Sequence, residues 1–149
     1  MWEDTFGSYI PDADTRWIEP AWKMLLSNKA ILALLWEMHK DDESVSKFLV
    51  PAYFDEPSSG KYVKKPLLSR EGHNIQIIEN KKVIESVDGD YDTERVVYQQ
   101  FIEGIRFDNC LPMIGLWMVG NDCVGLGIRE DDGLITGNDS RFIPHVFYK

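Results

Sequence analysis

Cysteine is scarce: Cys110 and Cys123 are the only two in 149 residues. Their separation matches no metal-ligand spacing and builds no disulfide framework, so they read as small buried hydrophobes of a reducing compartment. Long apolar runs are missing too, with none near the roughly 20 residues that a membrane span requires. The opening Met1-Trp2-Glu3-Asp4 lacks the basic region and apolar stretch of a secretory leader, so the expected location is cytoplasmic and the sequon Asn138-Asp139-Ser140 has no glycosylating context. Positive charge is in short supply: 16 Lys and Arg against 25 Asp and Glu leave a net charge of −9. That excludes general nucleic-acid binding and adhesion to anionic lipid, both of which need a basic face. No serine or cysteine comes with a recognisable histidine and acid arrangement, so no protein nucleophile is evident.

What is present suits one domain with a real core. The apolar content is 44% and includes five tryptophans, and a chain of this length buries roughly two-thirds of its unfolded surface. Residues 1–16 read as an irregular lead-in anchored only by Trp2, Phe6, Tyr9 and Ile10. Glu19 and Pro20 suit the first turn of a short helix over residues 21–26. Ser27 or Asn28 can cap a second helix whose apolar face is Ala30, Ile31, Leu34, Leu35 and Met38, widened by Trp36. Lys29 in its first turn opposes the helix dipole and calls for a partner, either a carboxylate or a bound anion. The acidic run Asp41-Asp42-Glu43 reads as a solvated loop.

From residue 48 onward the pattern is of strands. Residues 48–54 suit an edge strand interrupted by Pro51, and residues 82–87 a strand entered through the Asn80-Lys81 turn. Residues 95–101 form another, ending in Tyr98-Gln99-Gln100-Phe101. Residues 113–119 and 122–128 straddle Gly120-Asn121, a hairpin signal. Leu134-Ile135 is a possible short strand, and residues 142–148 close the chain with an apolar run. The class expected is α+β with antiparallel sheet. Trp17, Trp22, Trp36 and Trp117 are expected in the core, His39 at a helix C-terminus, and His145 in a structural role.

The densest basic cluster, Lys61, Lys64, Lys65 and Arg70, falls in residues 61–78. This stretch is strand, glycine-bearing turn and strand. On spacing alone it reads first as an ordinary β-hairpin with a solvated tip. Its second reading is a polyphosphate loop, where Gly72 lets the backbone approach an anion and a lysine supplies the charge.

Taken together, SNKA, YVKKPLLSREGHNI, VYQQF, GLGIRE and SRFIPH, in this order, resemble the glutathionylspermidine synthases, whose synthetase module is of the ATP-grasp superfamily. The resemblance covers the chain from about Trp17, with residues 17–149 as the C-terminal part of such a domain. It implies an incomplete ATP-grasp fold and the ATP-binding portion of a carboxylate–amine ligase. Such enzymes make an acyl phosphate that an amine attacks, with a peptide-like acid and a polyamine-like amine as the partners. It implies that Lys29 and Lys65 contact ATP phosphates, and that Ser69, Arg70, Gly72 and Asn74 lie near the γ-phosphate. It further implies that Gln100 and the backbone around Phe101 contact adenine, and that Arg129 lies near the transferred phosphate. His73 is either a phosphate contact or a solvated loop residue.

The resemblance also implies Mg²⁺, held in the family by an RxD and an ExN pattern upstream of this region. No matching pair occurs here: Arg141-Phe142-Ile143 lacks the acid, and Glu130-Asp131-Asp132 reads as a charged turn. The expectation is therefore a fragment without metal ligands, inactive alone. The alternative is a non-catalytic module that binds nucleotide or a protein.

Overall fold

The computed structural model describes residues 5–16, 18, 21–91 and 93–148. Trp2, Trp17, Glu19 and Pro20, on which expectations were placed, lie outside them. Thr5–Asp12 forms 3-10 turns within the lead-in. A 3-10 turn at Ala21–Lys23 runs directly into α1 (Met24–Ser27). The α2 helix spans Ala30–His39, so His39 is its last residue. Asn28 is the residue that caps it: its side-chain oxygen accepts the Ala30 N–H at 2.9 Å. The acidic run is more ordered than a solvated loop. Asp42 accepts the Ser44 N–H at 2.9 Å and caps α3 (Glu43–Ser46), with Glu43 at the favourable end of its dipole.

The rest is antiparallel sheet. Strands β1 (Ala52–Tyr53), β2 (Lys61–Pro66), β3 (Gln76–Glu79), β4 (Lys82–Ser86) and β5 (Val96–Gln100) form one sheet in the order β1-β5-β2-β3-β4. Strands β6 (Leu111–Val119), β7 (Asp122–Asp131) and β8 (Arg141–Ile143) form a second sheet in that order. The protein is thus α+β with antiparallel sheets and few helices. Turn chemistry explains the joints. Asn80 and Lys81 both take positive φ, as a tight two-residue hairpin needs, and Gly120 takes φ +62° at the tip of β6–β7. Pro66 is tolerated in a central strand because β2–β3 pairing ends at Lys64, so its missing N–H falls beyond that ladder.

The core differs from the helical stripe expected. Ala33, Ala52 and Val97 are fully buried, with Leu32 and Leu67 packed on them, whereas Leu34 and Met38 are exposed. The α2 sequence is apolar on nearly every side, so periodicity does not fix which face turns inward. The small Ala33 and Ala52 let helix and sheet approach closely, and that decides it. Two tryptophans expected in the core are outside it: Trp22 is 61% and Trp117 69% exposed. The side chain of Trp22 projects from its turn, and among the described residues nothing buries the β6–β7 hairpin near Trp117. Cys123 is exposed and Cys110 half-buried, not buried as expected. Leu134 and Ile135 form no strand, because their N–H groups donate to Glu85 Oε1 at 2.8 and 3.1 Å instead of to a ladder. Of the last apolar run only Phe142 and Ile143 belong to a strand, and Val146, Phe147 and Tyr148 project outward. No helix of the described residues is long and apolar enough to cross a membrane.

Candidate functional site

One face of the five-stranded sheet carries the site. The registers Val63↔Ile77 and Val63↔Gln99, with Ala52↔Gln99, place these side chains on a common face, and Lys65 joins them by alternation along β2. The α2 helix covers the β1–β5 end of this face. At the other end the segment 133–137 lies across it, tied down by Glu85 on β4. Between them opens a cleft of about 420 Å³, walled by Val63, Ile77, Phe101, Leu111, Met113 and Ile135, with Lys65 and Gln99 at its floor. Leu111 and Met113 belong to β6, so the two sheets form opposite walls.

Other cations lie near Lys65, outside the lining of the cleft. The Lys29 backbone N–H donates to the Leu67 carbonyl at 2.8 Å, docking the start of α2 on the end of β2. Its ammonium donates to the Ser69 carbonyl and to Ser69 Oγ, the latter at 3.2 Å. Ser69 is the one buried polar side chain among the described residues. The Lys29 ammonium has its pKa lowered by burial and by the Arg70 guanidinium. The Lys65 ammonium is lowered by burial and by the charge of Lys29, and it donates to Gln99 Oε1 at 2.6 Å. Among the described residues no carboxylate pairs with either lysine. The partner that Lys29 called for is therefore the Ser69 oxygens, and its ammonium feels the like charge of the exposed Arg70 as Lys65 feels that of Lys29. Like charges close together disfavour one another's charged form, and a nearby opposite charge favours it.

The other site residues separate by what they touch. Gly72 (φ +77°) is buried, and a Cβ there would lie 2.9 Å from Ile135 Cγ2 and 3.0 Å from the Thr136 carbonyl. Its turn thus packs under segment 133–137. Asn74 donates to the Gly89 carbonyl at 2.7 Å and accepts the Tyr91 N–H at 2.9 Å, so its amide secures the β4–β5 connection. His73 packs over Gly89 with its ring 6.0 Å from that of Tyr91. Gln100 is paired with Tyr62 and shares its face, away from Lys65. It borders both the cleft and a cavity of about 640 Å³ shared with Tyr53 and Phe54. Phe101 lines the cleft, with the Lys61 ammonium 4.1 Å above its ring. Arg129 lies opposite Met113 on β6 and Phe142 on β8, and lines a separate cavity of about 460 Å³ that shares Met113 with the cleft.

Sequence reasoning passed over Gln99 in favour of Gln100. The two-residue period of β5, counted from its pairing with β2, separates them, but that register is not visible in the sequence. The acidic turn is fully engaged. Asp131 accepts from Ser140 Oγ at 2.8 Å and from the Gly133 and Gly137 N–H groups at 3.2 and 3.3 Å. The Ser140 hydroxyl, with those N–H groups, holds its carboxyl below the usual range. Arg141 takes Asp132 at 2.7 Å and Glu130 at 3.1 Å.

Against known proteins, the chain matches the family described as Glutathionylspermidine synthase preATP-grasp over residues 1–148. The chain belongs to this family. It is 46% identical over 152 residues to a Haemophilus influenzae protein named "Putative acid--amine ligase", covering 95% of this chain and 38% of that one. It is 35% identical over 132 residues to the trypanothione synthetase of Crithidia fasciculata, covering 88% of this chain and 20% of the relative. It is 27% identical over 135 residues to the bifunctional glutathionylspermidine synthetase/amidase of Escherichia coli K12, covering 88% and 21%. The chain therefore spans about a fifth to two-fifths of the length of these family members.

Proposed function

We propose that this chain is the nucleotide-phosphate-binding portion of an ATP-dependent acid–amine ligase. The observation that carries the reading is Lys65 on the floor of an apolar cleft, with the like charge of Lys29 near it, that of Arg70 near Lys29, and no carboxylate paired with either lysine among the described residues. An apolar slot with cations at one end suits a flat base joined to a polyphosphate. Phosphoryl transfer asks mainly for positioning and neutralisation of oxygen charge. In this reading Lys29 and Lys65 hold phosphate oxygens, Ser69 orients Lys29, and Arg70 stands beside them at the mouth. The backbone around Gln100 and Phe101 borders the base, and Arg129 serves the acyl end from the facing sheet. Asn74 and Gly72 shape the loop that presents Ser69 and Arg70.

The described residues do not fit a magnesium site. The carboxylates of residues 130–132 are committed to Ser140, Arg141 and backbone N–H groups, and Glu85 to the Leu134 and Ile135 N–H groups. The fold reads as part of an ATP-grasp unit in the cytoplasm, with the acid and amine substrates bound by the larger protein. A second reading, a module that packs on other protein, draws support from the apolar β6–β7 hairpin, exposed on both faces.

Thermal-shift titration with ATP tests the nucleotide reading. Saturation at 100 times Kd should stabilise the chain by about 2.7 kcal/mol, and Lys65→Ala should respond far less. If ATP gives no shift, or the variant responds like the parent, the reading falls. ADP release that depends on an added amine separates the ligase from the packing module.

A further inference from the structure

Lys65 stands on the cleft floor with a long flexible stem, and the like charge of Lys29 pushes on it. A free lysine side chain so placed would spread over many rotamers and turn away from its neighbour. Among the described residues it is held by Gln99 Oε1 at 2.6 Å. The geometry follows from the sheet: Lys65 lies opposite Val97 and Val63 opposite Gln99, so lysine and glutamine are diagonal neighbours on one face. A lysine offers only donors, so the amide oxygen is the atom that must face it.

We propose that Gln99 is a positioning residue that aims the Lys65 ammonium into the cleft without neutralising it. This inference rests on the nucleotide reading of the cleft. The amide oxygen is a neutral acceptor, so the ammonium keeps its whole charge for an incoming phosphate. A carboxylate at this position would fix the lysine as well, yet would compete with the phosphate for it. An apolar side chain of the same length would compete with nothing, yet would leave the lysine unaimed. Neutral and accepting is the combination that satisfies both demands.

The test compares the parent with Gln99→Glu, Gln99→Met and Lys65→Ala by calorimetric titration with ATP. The Lys65 side-chain signal is followed in parallel by NMR across pH, with circular dichroism to confirm folding. Gln99→Met should weaken ATP binding about five- to tenfold, the worth of one hydrogen bond. Gln99→Glu should weaken it at least as much at neutral pH and raise the Lys65 pKa, and should recover toward the parent as acid protonates the new carboxyl. A merely structural role would leave the Lys65 titration and this pH profile unchanged. If the parent binds ATP, Lys65→Ala weakens it, and both Gln99 variants bind and titrate like the parent, the inference is overturned and the nucleotide reading stands. If the parent binds no ATP, both fall.

Discussion

At the scale of single residues, the same side chain type serves different ends according to what the fold brings against it. Gly72 is the clearest case. A glycine between two strands beside lysines invites a phosphate-loop reading, and its positive φ agrees with that. The structure adds a second demand, since the place of its missing Cβ is taken by Ile135 and Thr136, more than sixty residues along the chain. Gly72→Ala therefore meets both a left-handed backbone and an overlap with another segment. It should lower unfolding free energy by roughly 1–3 kcal/mol in urea titration. A variant as stable as the parent would show that segment 133–137 is not packed on this turn. Lys29 drew attention in sequence because it opposes its own helix dipole, with a carboxylate or an anion as its open alternatives, whereas Lys65 stood out from its basic cluster only through the family resemblance. Gln99 was not legible, because only the register with β2 says which of two adjacent glutamines faces the cleft.

At the scale of elements, the strands were legible wherever turn chemistry announced them, as at Asn80-Lys81 and Gly120-Asn121. They were illegible where a distant group had claimed the backbone. Leu134 and Ile135 have strand-forming side chains, but their N–H groups are taken by Glu85, a residue of the edge strand β4. An acid turned inward on an edge strand also discourages pairing with another chain, because the exposed edge is no longer uniformly apolar. Here that acid has the further task of strapping the connection after β7 across the first sheet. Glu85→Ala would leave two N–H groups without their acceptor, at a cost of roughly 1–3 kcal/mol. Glu85→Gln keeps an oxygen in place and should cost less. Equilibrium denaturation of the two variants checks this order, and equal losses would assign the effect to packing of the side-chain stem instead of to the strap.

At the scale of the whole molecule, the two sheets are unequally supported. The first has α2 on one face and a buried centre at Tyr62, Ile77 and Val97. The second is joined to it through Leu111, Met113 and the strap, while the far part of β6–β7 has little on either side: Leu116, Trp117, Met118, Val119 and Val124 are each more than half exposed. Local opening is governed by how much contact a segment loses when it opens. Backbone amides at the base of the hairpin, those of Leu111, Met113 and residues 129–131, should exchange with solvent about as slowly as the central strands β2 and β5. Those at residues 117–124 should exchange markedly faster, with the change falling along the hairpin and not at its ends. Hydrogen-exchange mass spectrometry on overlapping peptides reads this directly. ATP should slow exchange at the base and in residues 65–74, where the cleft walls meet, and leave the tip nearly unchanged. Uniformly slow exchange along the whole hairpin would mean that another surface covers it, and the packing-module reading would then gain over the ligase.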